Sequence, residues 1–386
     1  MIPNKNTFCV NPWLTIALDS DNKLSPCCYI PGFDYNYQNI EKYFKSKQLN
    51  DIRKDLLTGV KNKNCNKCWQ KESQGMESQR QISNRTIKGN IRKQIENPTT
   101  EDVVHIDFVL GNLCNLKCLM CKPLLSSQIL AEAIKHPELK EIYDSNTSYV
   151  QKHFDWPKHK QFKEWCKLIL PRCKKIHFGG GEPFIIPWIP KVLKDIDIAK
   201  KKQMTLHITT NLTIINDEIL ESFNNFKEVW LSVSFEGTED TFEYVRNGHN
   251  WETIKKNVQY IKDKNFDNLY FGVNNVIQAT SFHSILSLVD FCDKNDMKIN
   301  PLPLDRPESF HISALTKQSK LDFLNDTEQY QGINKDYIKF VRNLCITNIE
   351  QNQKLSTDCI QLLEKYDKVR KTNWKKIIPL ENLQKI

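Results

Sequence analysis

The chain has 386 residues, 39% hydrophobic and 26% charged, with 55 Lys and Arg against 46 Asp and Glu for a net charge of +9. This length exceeds the roughly 250–300 residues at which one core stops growing, so two domains are expected. Twelve Gly and sixteen Pro exclude a collagenous or disordered chain. No window nears the roughly 18 apolar residues of a membrane span. The lysines are dispersed, so the charge reads as a solvated surface and not as a nucleic-acid face. Met1–Ile30 lacks a basic start followed by an apolar run. A cytoplasmic protein without a membrane partner is therefore expected. In that compartment thirteen cysteines point to metal or iron–sulfur ligation and away from disulfides.

Residues 1–97 read as irregular. Trp13–Leu18 turning at Asp19–Lys23 toward Leu24 suggests a hairpin. Ile40–Leu57 has helical spacing, with Gly59 where a cap belongs. The polar stretch Gln70–Asn97 reads as a linker ending at Pro98. Strands are then expected at Val103–Leu110, Lys175–Phe178, Thr205–Thr209, Val229–Val233, Leu269–Val276 and Lys298–Leu302. Helices are expected near Leu124–Lys135, Phe162–Leu170, Ile189–Ile198, Glu218–Phe223, Trp251–Lys262 and Ile285–Asp293. Six alternating units predict parallel strands, as an open doubly wound sheet or an incomplete barrel, with the site at the strands' carboxyl ends. Residues 306–386 read as a helical extension, clearest at Tyr337–Leu344 and Ile360–Val369.

Directly after the first expected strand stands Cys114-Asn-Leu-Lys-Cys118-Leu-Met-Cys121. Thiolates at spacings of four and three can wrap one cluster from a single loop, and such soft ligands select iron–sulfur clusters or zinc. A closed zinc site needs a fourth nearby ligand, and none is obvious. The second motif is Lys175-Ile-His-Phe-Gly179-Gly-Gly-Glu182-Pro183, a strand entering a glycine turn and an acidic residue. Together, in this order, the two resemble the radical S-adenosylmethionine (SAM) superfamily.

That resemblance implies a partial (β/α)6 TIM-type barrel over residues 98–305, carrying SAM and a [4Fe–4S] cluster held by Cys114, Cys118 and Cys121. Gly180, Gly181 and Glu182 would meet the amino group of SAM. Thr210 and Asn211 end the third strand of the match. Leu231-Ser232-Val233-Ser234-Phe235-Glu236-Gly237 resembles the segment that meets ribose and carboxylate, with Glu236 in place of the commoner aspartate. Arg246 is similar to an arginine that pairs the SAM carboxylate. Met120 stands where an aromatic residue usually packs near adenine.

Cys9, Cys27-Cys28 and Cys65-Asn-Lys-Cys68 form a second group. Cys9 and Cys27 flank the hairpin, so its closing brings them together. With Cys65 and Cys68 they make a four-thiolate site suited to a second cluster or to structural zinc. Cys28 is either an alternative to Cys27 or a free thiol beside the site. Phe8-Cys9, Pro26-Cys27-Cys28, Cys68-Trp69, Glu72, Gly75, Ser78 and Arg80 resemble the twitch or SPASM domains of radical SAM proteins. They imply a second [4Fe–4S] cluster, in a domain over residues 1–97. Tyr366-Asp367-Lys-Val-Arg370 extends the likeness toward the end of the chain.

Cys166, Cys173, Cys292, Cys345 and Cys359 lack partner spacing and read as core residues. His105 and His207 read as satisfied strand histidines, and His177 draws slightly more notice near its strand end.

The implied activity is reductive cleavage of SAM to a 5′-deoxyadenosyl radical, which takes hydrogen from a peptide or small-molecule substrate. An electron donor such as flavodoxin or ferredoxin is implied as a partner. The competing readings are an iron–sulfur electron-transfer or sensor protein without SAM turnover, and a zinc-stabilised nucleic-acid-binding protein.

Overall fold

Eight strands form one sheet in the order β2-β1-β3-β4-β5-β6-β7-β8. The computed structural model describes all residues except 1–3, 5, 74, 76, 88–90, 144–153, 303, 305 and 385–386. The strands are β1 (Thr15–Leu18), β2 (Leu24–Ser25), β3 (His105–Phe108), β4 (Lys175–Phe178), β5 (Thr205–Thr210), β6 (Glu228–Ser234), β7 (Leu269–Val276) and β8 (Lys298–Leu302). Every neighbouring pair from β3 to β8 is parallel. Parallel neighbours need crossovers, and the helices Lys160–Ile169, Trp188–Asp195, Asp217–Glu221, Trp251–Asp263 and Ile285–Lys294 supply them.

The two faces of the sheet differ. Along β4, β5 and β6, buried and half-exposed positions alternate. Ile176, Phe178, Leu206, Ile208, Val229, Leu231 and Val233 form the buried face. They join Trp251, Ile254, Val258 and Ile261 of the Trp251–Asp263 helix in the main core. The opposite face carries His177, His207, Thr209, Trp230, Ser232 and Ser234. Strict alternation is the signature of a sheet covered by helices on one side only.

The amino-terminal segment departs from the sequence reading in three ways. The hairpin forms, with β1 antiparallel to β2, but β1 also pairs in parallel with β3, Thr15 opposite His105. The hairpin thus extends the sheet. The stretch 40–57 is two helices, Ile40–Phe44 and Lys47–Thr58, because Ser46 accepts from the Leu49 amide and restarts the helix. The expected linker is largely helical, with Asn66–Ser73, Gln79–Thr86 and Ile91–Glu96. A capping box between Ser78 and Gln81 opens the second of these.

The carboxyl-terminal region is helical, through Lys317–Asp326, Lys335–Thr347 and Gln353–Arg370. The last helix returns to the cysteine loop. Arg370 donates to both oxygens of Glu132 at 3.0 and 2.7 Å, and the Tyr366 hydroxyl donates to the Leu119 carbonyl at 3.3 Å.

Candidate functional site

The cysteine loop lies at the carboxyl end of β3 and is tied down on several sides. Its Lys117 and Leu119 amides donate to the Asn247 and Val245 carbonyls at 2.7 and 2.8 Å. The Glu182 amide donates to the Leu113 carbonyl at 2.7 Å, joining the loop to the glycine turn after β4. Gly180 and Gly181 have φ of +68° and +57°. A Cβ at Gly181 would stand 2.6 Å from the Leu113 carbonyl, and one at Gly180 would stand 2.3 Å from Val109. Only glycine lets the two segments approach so closely.

Donors converge on the cysteine sulfurs. Arg246 Nη1 lies 3.7 Å from Cys118 Sγ, Asn211 Nδ2 4.0 Å from Cys114 Sγ, and the Leu116 amide 3.5 Å from Cys114 Sγ. Burial pushes the Cys114 and Cys118 thiols up and takes Cys121 to about 12. Met120 packs against the same cluster of Cys114, Leu116 and Cys118.

Glu182 is fully buried and organises the end of β5. Its carboxylate accepts from the Thr210 hydroxyl at 2.5 Å, the Asn211 amide at 2.6 Å and the Phe184 amide at 3.0 Å. Burial outweighs these donors and raises its pKa to about 7. Glu236 and Arg246 pair with each other at 2.5 and 2.8 Å, so the arginine bridges the end of β6 to Cys118. Ser234 lies half-exposed on the face opposite the helix-covered core, while Ser232 sits further from the strand end and bonds His207 at 3.0 Å.

Two residues escaped the sequence reading. Gln278 and Thr280, just past β7, are fully buried. The Gln278 amide and the Thr280 hydroxyl lack hydrogen-bond partners among the described residues. Buried orphans at a strand's carboxyl end are a site signal that needs the fold.

The structure also gathers the amino-terminal cysteines. Cys9, Cys27, Cys65 and Cys68 line one pocket with Pro12, Tyr29, Leu56 and Arg80. The Cys28 thiol and the Tyr29 amide hydrogen-bond the Cys27 sulfur and hold that thiol below its ordinary value. Burial raises Cys9, takes Cys65 to about 12 and takes Cys68 to about 11. Cys28 itself is exposed. Arg80 braces the pocket. It donates to both oxygens of Glu72 at 2.9 and 2.7 Å and to the Phe8 carbonyl at 2.8 Å, and its guanidinium lies 5.1 Å from the Trp69 ring.

Both cysteine sets suit iron–sulfur ligation by their chemistry. Apart from Cys27, these thiols have raised pKa values and need a metal's charge to ionise, and N–H donors aimed at sulfur stabilise a cluster's thiolates. Among the described residues, no three or more His, Cys, Asp and Glu side chains converge tightly enough to hold a single metal ion. No described helix is long and apolar enough to cross a membrane.

Residues 108–283 match the family model of the Radical SAM superfamily. Over that stretch, a little under half of the chain, it is similar to the class that uses SAM and a [4Fe–4S] cluster, and the protein is an enzyme. Over 136 residues it is 26% identical to the S-adenosylmethionine-dependent nucleotide dehydratase of Lacinutrix mariniflava. That match spans 35% of this chain and 24% of the relative's length. Among solved structures, Streptococcus suis SuiB bound to precursor peptide SuiA aligns over 84% of this chain and 70% of that one, at 15% identity and a TM-score of 0.41. The anSMEcpe structure with bound AdoMet and Cp18Cys peptide aligns over 58% of each chain, at 13% identity and a TM-score of 0.37.

Proposed function

We propose that this enzyme cleaves SAM reductively at the Cys114–Cys121 loop and modifies a peptide or small molecule by hydrogen abstraction. The observation that carries the reading is the donor set converging on that loop, with Arg246 at Cys118 and Asn211 and the Leu116 amide at Cys114. Bound there, a four-iron cluster and SAM would supply the 5′-deoxyadenosyl radical that takes hydrogen from the substrate.

The chain's own groups have distinct tasks in this reading. Cys114, Cys118 and Cys121 hold the cluster. Gly180 and Gly181 open a close backbone approach, and Glu182 fixes Thr210 and Asn211. A carboxylate offers about four acceptor positions. Glu182 uses three on its own chain, which leaves one for the SAM ammonium. Glu236 orients Arg246, which offsets thiolate charge, while Ser234, Ser232 and Met120 line the approach. The strands β3 to β8 within residues 98–305 serve as the partial barrel, and residues 306–386 as the clamp on the loop.

In the same reading, Cys9, Cys27, Cys65 and Cys68 hold a second [4Fe–4S] cluster within residues 1–97. It assists electron transfer or substrate binding, with a flavodoxin or ferredoxin as donor. The nucleotide in the relative's name favours the small-molecule branch. The test is 5′-deoxyadenosine formation by anaerobically reconstituted protein. Formation supports the assignment, and its absence with a full cluster complement refutes it.

A further inference from the structure

The face of the sheet opposite the helix-covered core carries a row of side chains with no assigned task. Strand register sets Asp107, His177, His207, Trp230 and Tyr270 side by side from β3 to β7. The His177 and His207 rings stack at 4.3 Å. Trp230 meets His207 edge-on at 5.8 Å, and Tyr270 meets Trp230 at 6.3 Å. The next row toward the carboxyl ends holds Thr209, Ser232 and Gly272 in register, with Gly179 following β4. Those side chains from β4 to β7 are small or absent.

Polar groups edge this ladder. Asp107 Oδ1 lies 2.7 Å from His177 Nδ1, and His177 Nε2 lies 3.0 Å from the Thr209 hydroxyl. Either ring nitrogen of His177 can donate or accept, and the Thr209 hydroxyl can match Nε2 in either sense. A substrate hydroxyl can take the place of Thr209. His105 is 6% exposed, and its Nε2 has no partner among the described residues. The buried indole N–H of Trp230 likewise has none among them.

We propose that this row is a platform for a hydroxyl-bearing ring, a nucleoside or a sugar. The C–H or base face of such a ring stacks on Tyr270 and on the Trp230 face away from Lys175, whose Nζ lies 4.4 Å from the indole centroid, while its hydroxyls meet His177. An extended peptide would instead seek backbone pairing at a sheet edge, which the interior of this face does not offer. The inference deepens the radical SAM reading by naming its substrate class, but the binding itself can be measured without turnover.

The test uses the full chain, reconstituted anaerobically with SAM. Cytidine, uridine, adenosine, ribose and glucose serve as separate probes, beside a mixture of unrelated octapeptides. Saturation-transfer NMR should mark the ring protons of at least one nucleoside or sugar, and the responding set tells the two sources apart. Trp230→Ala should weaken that ring's Kd about tenfold, the scale of one stacking contact. Tyr270 is 64% exposed, so Tyr270→Ala does not threaten the fold and should weaken binding about threefold. Transfer to no ring probe, transfer to the octapeptides alone, or unchanged affinity in both variants overturns the platform. SAM cleavage is measured on the same preparations. Ring binding without cleavage would sink the radical reading and leave the platform standing, and the reverse result would sink only the platform.

Discussion

The two cysteine sites are held in opposite ways. The Cys114–Cys121 loop is compact in sequence, yet its supports come from far along the chain: Asn211, Arg246, Tyr366 and Arg370. The amino-terminal pocket draws its cysteines from positions 9 to 68, yet its brace, Glu72 with Arg80, is local. A site whose ligands are contiguous can be read from spacing, whereas its orientation depends on the whole fold. A site whose ligands are scattered is legible only through the hairpin that gathers them.

The largest expected effect comes from the first site. Cys114→Ala, Cys118→Ala or Cys121→Ala should each abolish 5′-deoxyadenosine formation, because two thiolates cannot orient a cluster. Normal formation in any of them would break the comparison. Next comes the second site. A Cys65→Ala/Cys68→Ala double variant should lose about half of the bound iron and all substrate conversion while keeping uncoupled SAM cleavage. Equal loss at both sites would show that they are one unit.

The braces should separate in the same way. Removing one partner of a buried ion pair costs about 3–5 kcal/mol. Arg80→Met should therefore deplete the amino-terminal iron and spare the loop, and Arg370→Met should do the reverse, as read by iron counts and thermal melts. Glu182→Ala should weaken SAM binding by about ten- to a hundredfold by losing one charge-assisted bond, with iron content intact. Unchanged affinity in a calorimetric titration would assign the glycine turn to packing alone.

The smallest effect is a pH dependence. Burial raises the Glu132 pKa, but Arg370 outweighs it and the net shift is downward. This pair's stability is then fully present above the ordinary glutamate value, about 4.3, and fades as pH falls through the lower folded value. Acid titration of Arg370→Met should lack that contribution. An acid limb identical to the native one would leave the pair without a role.

Much of this was legible in the sequence. Short runs of β-branched and aromatic residues located all six strands after residue 100, with β4, β7 and β8 matching at both ends. The helices at 66–86 were missed because their polar faces resemble a linker, although Ser78 and Gln81 already spelled a capping box. The parallel pairing of β1 with β3 joins residues ninety apart, and no local pattern encodes such a contact. For the same reason His177 read as a marginal strand-end histidine: its partners Asp107 and Thr209 lie on neighbouring strands. Gln278 and Thr280 are conspicuous only because burial leaves their side-chain polar atoms without partners among the described residues.

The division of labour between the two cysteine sites is the central claim, and iron-57 Mössbauer spectroscopy with and without SAM tests it most directly. The account predicts that SAM alters the iron environment of the native protein and of the Cys65→Ala/Cys68→Ala variant, but not that of Cys118→Ala. A response that persists in Cys118→Ala, or that disappears in the double variant, would contradict it.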